Sequence, residues 1–199
     1  PDIVTVNDGG ENVLYLGDPT VPTNPTKFAT NPGTILGKNP DTTARDKTPS
    51  QSVEVADVDG DGDLDIIVGN LGAPNVVYFQ INTPNPQHSL FPTATPIGNT
   101  AFDATSPTTK VVVADLDKDG EMDLVVANRD EENQIFLAKD APADPGRRAI
   151  LDATSLPKAP SENLALPYYN WPKGVLGAEW QKNKLTTEDI AVADLNGDG

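Results

Sequence analysis

The chain has 199 residues, and its 30 acidic and 14 basic residues give a formal net charge of −16. Such a charge disfavours binding to nucleic acids and anionic membranes, and it favours binding to cations. The chain has no Cys and one His, His88. This excludes disulfides and Cys-based zinc sites and leaves little scope for a His-based metal site or catalytic triad. No apolar run is long enough to cross a membrane.

Short apolar runs alternate with turn residues from the start of the chain. Residues 2–7 (DIVTVN) and 12–16 (NVLYL) are β-rich and flank a turn that contains Asp-Gly-Gly. They are predicted to be the later strands of a first repeat, residues 1–50, whose acidic loop retains only its last position, Asp2. Because residue 1 is Pro and the chain opens inside this motif, we expect the sequence to be part of a longer product.

The second repeat, residues 51–109, contains one complete motif. Over residues 53–70 (VEVADVDGDGDLDIIVGN), a β-branched run leads into an acidic glycine loop and a second apolar run that ends in Asn. Another β-rich stretch follows at residues 75–79 (NVVYF). Further on, residues 102–106 (FDATS) form an element that recurs as LDATS after the next motif.

The third repeat, residues 110–188, matches the second in register. It contains residues 111–128 (VVVADLDKDGEMDLVVAN) and then residues 133–137 (NQIFL). The sequence IAVADLNGDG near the end is the first half of another copy, so residues 189–199 are predicted to begin a further repeat. Self-similarity of this kind is typical of repeat architectures.

The repeating unit reads strand, acidic loop, strand, turn, strand, long connection, strand. Strands of four to seven residues separated by turn signals predict an all-β fold of antiparallel, four-stranded, blade-like repeats. The loops begin at Asp57, Asp115 and Asp194, with spacings of 58 and 79 residues, and the longer spacing carries an insertion at residues 156–188. Units of this length favour a β-propeller or an open β-repeat array.

Each complete loop places carboxylates at positions 1, 3, 5 and 9 of an Asp-x-Asp-x-Asp-Gly-x-x-Asp pattern. Such closely spaced carboxylates repel one another unless a cation lies between them. Gly at position 6 permits a sharp turn that directs the carbonyl of position 7 at the ion. With a bidentate last Asp and a water, six or seven oxygen ligands result, which suits Ca²⁺ better than Mg²⁺. The predicted ligand positions are Asp57, Asp59, Asp61, Asp63 and Asp65 in the first loop and Asp115, Asp117, Asp119, Glu121 and Asp123 in the second.

The EF-hand shares the opening of this pattern but is excluded by the later positions of the loop. An EF-hand loop needs a bidentate Glu at position 12 and then a helix. Position 12 is Val68 in the first loop and Val126 in the second, and both lie in β-branched runs. The ion is therefore predicted to lie in a loop between two strands.

These motifs resemble the FG-GAP or VCBS repeats of integrin-alpha-like propellers and of many bacterial secreted proteins. The resemblance is carried by ADVDGDGDLDIIVGN, ADLDKDGEMDLVVANRD and ADLNGDG, with the Asn-x-hydrophobic strands and FDATS. It implies calcium binding by the Asp residues at positions 1, 3, 5 and 9 of both complete loops. The Phe-Gly and Gly-Ala-Pro signature itself is degenerate here, since Gly72-Ala73-Pro74 is at most a fragment of it.

The insertion at residues 156–188 has two interpretations. It holds four of the aromatic residues, including both Trp of the chain: Tyr168, Tyr169, Trp171 and Trp180. They are a candidate contact surface for glycans or cell-surface proteins, because exposed aromatic residues mark interfaces. Alternatively, they form a small satellite core over one face of a sheet.

The sequence predicts a calcium-stabilised structural or adhesive module located outside the cell or at its surface. The alternative is a non-catalytic accessory or carbohydrate-binding propeller fragment of a secreted enzyme. We expect no catalytic activity, since the chain has no Gly-x-Ser-x-Gly, His-Glu-x-x-His or phosphate-loop motif.

The two ends of the chain predict self-assembly. Asp194, Asn196 and Asp198 supply positions 1, 3 and 5 of a calcium loop, and Asp2 supplies position 9 of another. A head-to-tail contact between copies would join the two halves, and such a contact closes into a ring or continues as a filament. The alternative is a fragment of a single propeller whose neighbouring blades differ in sequence.

Overall fold

A computed structural model describes residues 1–17, 33–37, 48–81, 90–91, 93–97, 107–116, 118, 120–129, 133–138, 162–164 and 187–195. These residues form eleven strands in three antiparallel sheets and contain no helix. This confirms the prediction of an all-β fold with antiparallel sheets. Within the same residues, no helix has the length and hydropathy that crossing a membrane requires.

Each sheet is a meander in which neighbouring strands follow one another along the chain. Sheet 1 consists of β1 (Ile3–Thr5), β2 (Val13–Tyr15) and β3 (Thr34–Ile35). Sheet 2 consists of β4 (Ser50–Ala56), β5 (Asp65–Asn70), β6 (Val76–Tyr78) and β7 (Thr95–Pro96). Sheet 3 consists of β8 (Thr108–Ala114), β9 (Asp123–Asn128), β10 (Asn133–Phe136) and β11 (Glu162–Leu164).

Sheets 2 and 3 repeat each other in register as well as in strand order. Ala56 pairs with Asp65 at one end of the β4–β5 ladder, and Ala114 pairs with Asp123 at the same place in β8–β9. Both ladders shift register near their other end, between residues 50 and 52 and between residues 108 and 110. An irregularity at the same position in both copies marks it as a feature of the repeat rather than a local defect.

Sheet 2 packs on both faces, because successive side chains along each strand point to opposite faces of the sheet. Ile66 and Val68 of β5 join Leu14 and Leu36 in a core shared with sheet 1. Ile67, which lies between them on the opposite face, joins a second core shared with sheet 3. A strand buried on both faces reads as a continuous apolar run, which is why the β-branched segment after the acidic loop fits this position.

Sheets 2 and 3 approach closely at Gly69 in β5. A methyl group at this position would lie 2.9 Å from Thr108 Cγ2 and 3.0 Å from Val111 Cγ1, so any larger residue would push β5 and β8 apart. Glycine at this position therefore allows close packing between the two sheets.

The FDATS and LDATS elements lie outside the described residues, and the fourth strands that the structure describes are formed by other segments. In sheet 2 the fourth strand is β7, which pairs with β6. In sheet 3 it is β11, which pairs with β10 and falls within the predicted insertion at residues 156–188. Part of that segment therefore extends sheet 3.

Candidate metal-binding loops

The first acidic loop connects β4 to β5 and brings three carboxylates together. One ligand oxygen from each of Asp57, Asp59 and Asp61 lies within 4.8 Å of the others. Asp59 is buried, with 1% of its surface exposed, whereas Asp57 is half-buried and Asp61 is exposed. The three residues thus form a cluster that is closed on one side and open to solvent on the other.

Backbone N–H groups hold these carboxylates in place from within the loop. Gly60 and Gly62 donate to Oδ1 and Oδ2 of Asp57, at 2.7 and 3.0 Å. Asp63 N–H donates to Oδ1 of Asp61 at 2.9 Å. Side chains of Asp that bond to the backbone a few residues onward stabilise tight turns. The same residues that would hold a cation therefore also shape the loop.

Asp65, at position 9, begins β5 and is almost fully buried. Its Oδ2 accepts the N–H of Val58 at 3.1 Å and its Oδ1 accepts the N–H of Gln80 at 2.9 Å. The carboxylate thus ties the start of the acidic loop to the residues after β6. The sequence predicts Asp65 only as a bidentate ligand, because neither of these bonds leaves a local signature in the sequence.

The electrostatics of the first loop favour a cation. Burial raises the pKa of Asp65 to about 6, and the charges of Asp59 and Asp61 act in the same direction against the hydrogen bonds from Gln80 and Val58. A bound divalent cation would supply the largest local charge and reverse that effect.

The second acidic loop, between β8 and β9, repeats the part of this arrangement that the structure describes. Asp123 accepts the N–H of Leu116 at 2.7 Å and that of Ala138 at 2.8 Å, as Asp65 does in the first loop. Oδ2 of Asp115 accepts the N–H of Gly120 at 3.1 Å. Oδ1 of Asp115 is buried and has no hydrogen-bond partner among the described residues, which suits a ligand to a cation.

The backbone of the two loops also matches. Gly62 and Gly120, at position 6, have φ angles of 92° and 90°. At position 4, Gly60 has a φ of 72° and Lys118 has a φ of 63°. Lys118 is thus a side-chain-bearing residue in the left-handed region, which is uncommon outside Asn, Asp and Gly.

Replacing Gly62 with Ala should destabilise the fold through the backbone alone. No atom lies within 4 Å of a Cβ built at this position, so the cost comes from the positive φ and is about 1–2 kcal/mol. Urea denaturation measures it. Lys118→Ala is the matched control, because it changes a left-handed residue without adding a β-carbon, and its effect should stay below about 0.5 kcal/mol. Equal effects of the two substitutions would contradict this account.

The remaining predicted ligands are only partly described. Glu121 is buried and Asp63 is half-buried, and both occupy position 7 of their loops. Asp2 is exposed, and its Oδ1 accepts the N–H of Gly17 at 2.7 Å, as Asp65 accepts that of Gln80. Asp194 is exposed. Outside the described residues lie His88, the predicted ligands Asp117, Asp119, Asn196 and Asp198, and the aromatic residues Tyr168, Tyr169, Trp171 and Trp180.

The donor set fits calcium in its chemistry. It consists of carboxylate and carbonyl oxygens, the hard ligands that Ca²⁺ takes in flexible loops. The cluster of Asp57, Asp59 and Asp61 would supply three ligand oxygens, and position 7 would add a carbonyl. Asp65 lies close enough for its pKa to respond to the charges of Asp59 and Asp61.

The strand–acidic loop–strand units define a β-repeat protein in which loop and sheet recur together. Residues 57–126 match the model of the FG-GAP-like repeat family. This match spans both complete acidic loops and confirms the resemblance seen in the sequence. A comparison with curated proteins returns no match.

Proposed function

We propose that this chain is a calcium-stabilised structural or adhesive repeat module that works outside the cell or at its surface and has no catalytic activity. The observation that carries the proposal is the cluster of Asp57, Asp59 and Asp61 between β4 and the fully buried β5. The FG-GAP-like match supports it, because the matched residues 57–126 include this loop and its copy.

Calcium would act on stability through the connection between adjacent strands. Without a cation, the three carboxylates repel one another while the loop holds them within 4.8 Å. A cation turns that repulsion into attraction and fixes the turn that sets the β4–β5 ladder. Affinities of about 10⁻⁴–10⁻³ M are typical of extracellular calcium modules, and such sites fill only at the millimolar calcium found outside cells.

Calorimetric titration with CaCl₂ tests the proposal directly. We expect the chain to bind calcium at two or more sites with Kd of about 10⁻⁴–10⁻³ M, and Mg²⁺ to compete poorly. Asp61→Ala should remove one site, whereas Asp8→Ala, which removes an exposed carboxylate outside the loops, should remove none. The absence of calcium-dependent heat at millimolar concentrations, or an unchanged stoichiometry in Asp61→Ala, would overturn it.

Association of copies head to tail extends this proposal. Asp2 accepts a hydrogen bond from the N–H of Gly17, which is the kind of backbone contact that the position-9 aspartates make in the complete loops. Among the described strands, β1 pairs only with β2. In the proposed contact, the exposed Asp194 of one copy would join Asp2 of another in a calcium loop.

Sedimentation velocity should then show calcium-dependent association that EDTA reverses. Asp2→Ala should weaken the association by removing a ligand of the shared loop, whereas Asp8→Ala should leave it unchanged. A chain that sediments as a monomer at all concentrations in millimolar calcium would contradict head-to-tail assembly, while calcium binding by the two complete loops would be unaffected.

A further inference from the structure

Two asparagines recur at the same place in each sheet and bond to each other. In sheet 2, Asn70 at the end of β5 donates its backbone N–H to Oδ1 of Asn75, just before β6, at 2.8 Å. In sheet 3, Asn128 donates to Oδ1 of Asn133 at 3.0 Å. In sheet 1, the N–H of Asn7 donates to Oδ1 of Asn12 at 2.9 Å. In sheets 2 and 3 each pair closes the turn between the second and third strands, and in sheet 1 the pair closes the turn between β1 and β2.

The second asparagine of each pair also reaches across to the following unit. Its Nδ2 donates to a hydroxyl that lies seven positions before the next acidic loop. The three bonds are Asn12 to Ser50 Oγ at 2.9 Å, Asn75 to Thr108 Oγ1 at 3.0 Å and Asn133 to Thr187 Oγ1 at 3.1 Å. Three junctions with the same donor and the same kind of acceptor make this contact a regular part of the repeat.

The same hydroxyl also donates a hydrogen bond to an asparagine of its own unit. Ser50 Oγ donates to Oδ1 of Asn70 at 2.8 Å, and Thr108 Oγ1 donates to Oδ1 of Asn128 at 3.1 Å. Because each acceptor asparagine is bonded through its backbone to the next one, a continuous chain of hydrogen bonds runs from sheet 1 to Thr187. Its members between Asn12 and Asn133 are buried, with exposures from 0% for Asn70 to 7% for Asn133.

We propose that each asparagine pair is a recognition clamp for the first strand of the following unit, and that the clamp on sheet 3, Asn128 and Asn133, holds the segment 187–195 in that role. The partner that fits such a clamp is an extended strand of this repeat type with Ser or Thr seven residues before its acidic loop. This inference concerns contacts between units and does not depend on calcium binding.

Backbone contacts at Thr187 support the same assignment. Its N–H donates to the carbonyl of Asn128 at 3.1 Å, as the N–H of Ser50 donates to the carbonyl of Asn7 at 3.2 Å. The hydroxyl of Thr109 in β8 donates to the carbonyl of Thr187. Both backbone groups of Thr187 are thus bonded to sheet 3, while residues 188 and 189 beside it are exposed.

A hydroxyl is the group that this clamp selects. The Nδ2 of the second asparagine needs an acceptor, and the asparagine Oδ1 in the following unit needs a donor. A Ser or Thr hydroxyl provides both from one oxygen. Val has the shape of Thr but provides neither, so it would leave a clamp amide without its partner. An unsatisfied buried amide is costly, which makes the clamp selective against apolar residues.

Hydrogen exchange of the peptide that contains residues 187–195 tests the clamp on the full-length chain. Thr187→Val should speed exchange in that peptide about three- to tenfold, as expected for loss of one part-buried hydrogen bond that opens locally. Thr187→Ser should restore slow exchange. Glu188→Gln is the matched control at the exposed neighbouring position and should exchange like the unaltered chain.

A second variant removes the other partner. Asn133→Asp keeps an oxygen for the N–H of Asn128 but loses the Nδ2 donor, so it should also speed exchange at residues 187–195. The double variant Asn133→Asp with Thr187→Val should exchange no faster than the faster single variant, because both substitutions remove the same hydrogen bond. Exchange in the β9 peptide must stay unchanged, which separates local release from global unfolding. Unchanged exchange in Thr187→Val, or additive effects in the double variant, would overturn the proposal.

Discussion

Calcium at about five times its Kd is expected to raise the melting temperature of this chain by about 4–8 °C relative to EDTA. Each site that binds only the native state adds RT ln(1 + [L]/Kd), which is on the order of 1 kcal/mol at millimolar calcium. The two complete loops would together contribute about 2 kcal/mol, and each kcal/mol shifts the melting temperature of a chain of this size by about 2–4 °C. Differential scanning calorimetry in CaCl₂ and in EDTA measures the shift.

General screening of charge must be separated from binding in that experiment. The formal net charge of −16 means that any added salt reduces repulsion within the chain. NaCl at the same ionic strength is therefore the reference, and MgCl₂ at the same concentration tests selectivity. The calcium effect should exceed both. Superimposable melting curves in calcium, NaCl and EDTA would contradict a stabilising role for calcium.

The strands next to the acidic loops could be predicted from the sequence because the signal there is local. The short β-branched run IIV after the first loop favours a buried strand, and β5 is buried along its whole length. The acidic turn lies between β4 and β5 as its Gly-Asp spacing predicts. Its copy between β8 and β9 follows for the same reason, and these two strand pairs lie in sheets 2 and 3.

The contacts between units could not be predicted, because they join residues that are distant in the chain. Asn12 and Ser50 lie 38 residues apart, and Asn75 and Thr108 lie 33 apart. Asparagine after an apolar run reads as an ordinary turn residue, and a lone Ser or Thr carries little information. The signal was nevertheless present, since a hydroxyl precedes Asp57, Asp115 and Asp194 by the same interval.

The same difficulty explains the incomplete interpretation of the position-9 aspartates. Their spacing from the other acidic residues indicates a metal ligand, and this spacing can be read from the sequence of a single loop. Their contacts with Gln80 and Ala138 each span 15 residues and become visible only when the third strand is in place. A residue can thus serve the loop and the sheet at once, and only the first role is apparent from the motif.

Substitutions in the second loop should separate the structural role of a carboxylate from its role as a ligand. Asp123 is fully buried, and its two oxygens accept N–H groups from Leu116 and Ala138. Asp123→Ala leaves both donors without this partner, which should lower the free energy of unfolding by about 2–4 kcal/mol even in EDTA. Asp115→Ala is the matched control, because the Gly120 N–H that it frees belongs to an exposed residue and can bond to water.

The two substitutions should therefore differ in EDTA and agree in their loss of calcium response. Urea denaturation of the unaltered chain, Asp115→Ala and Asp123→Ala, each with calcium and with EDTA, gives the values needed. In EDTA, Asp115→Ala should stay within about 1 kcal/mol of the unaltered chain, while Asp123→Ala falls well below it. In calcium, both should lack the contribution of the second loop. If Asp123→Ala were no less stable than Asp115→Ala in EDTA, the two backbone bonds would not stabilise the fold, and the position-9 aspartate would act as a metal ligand alone.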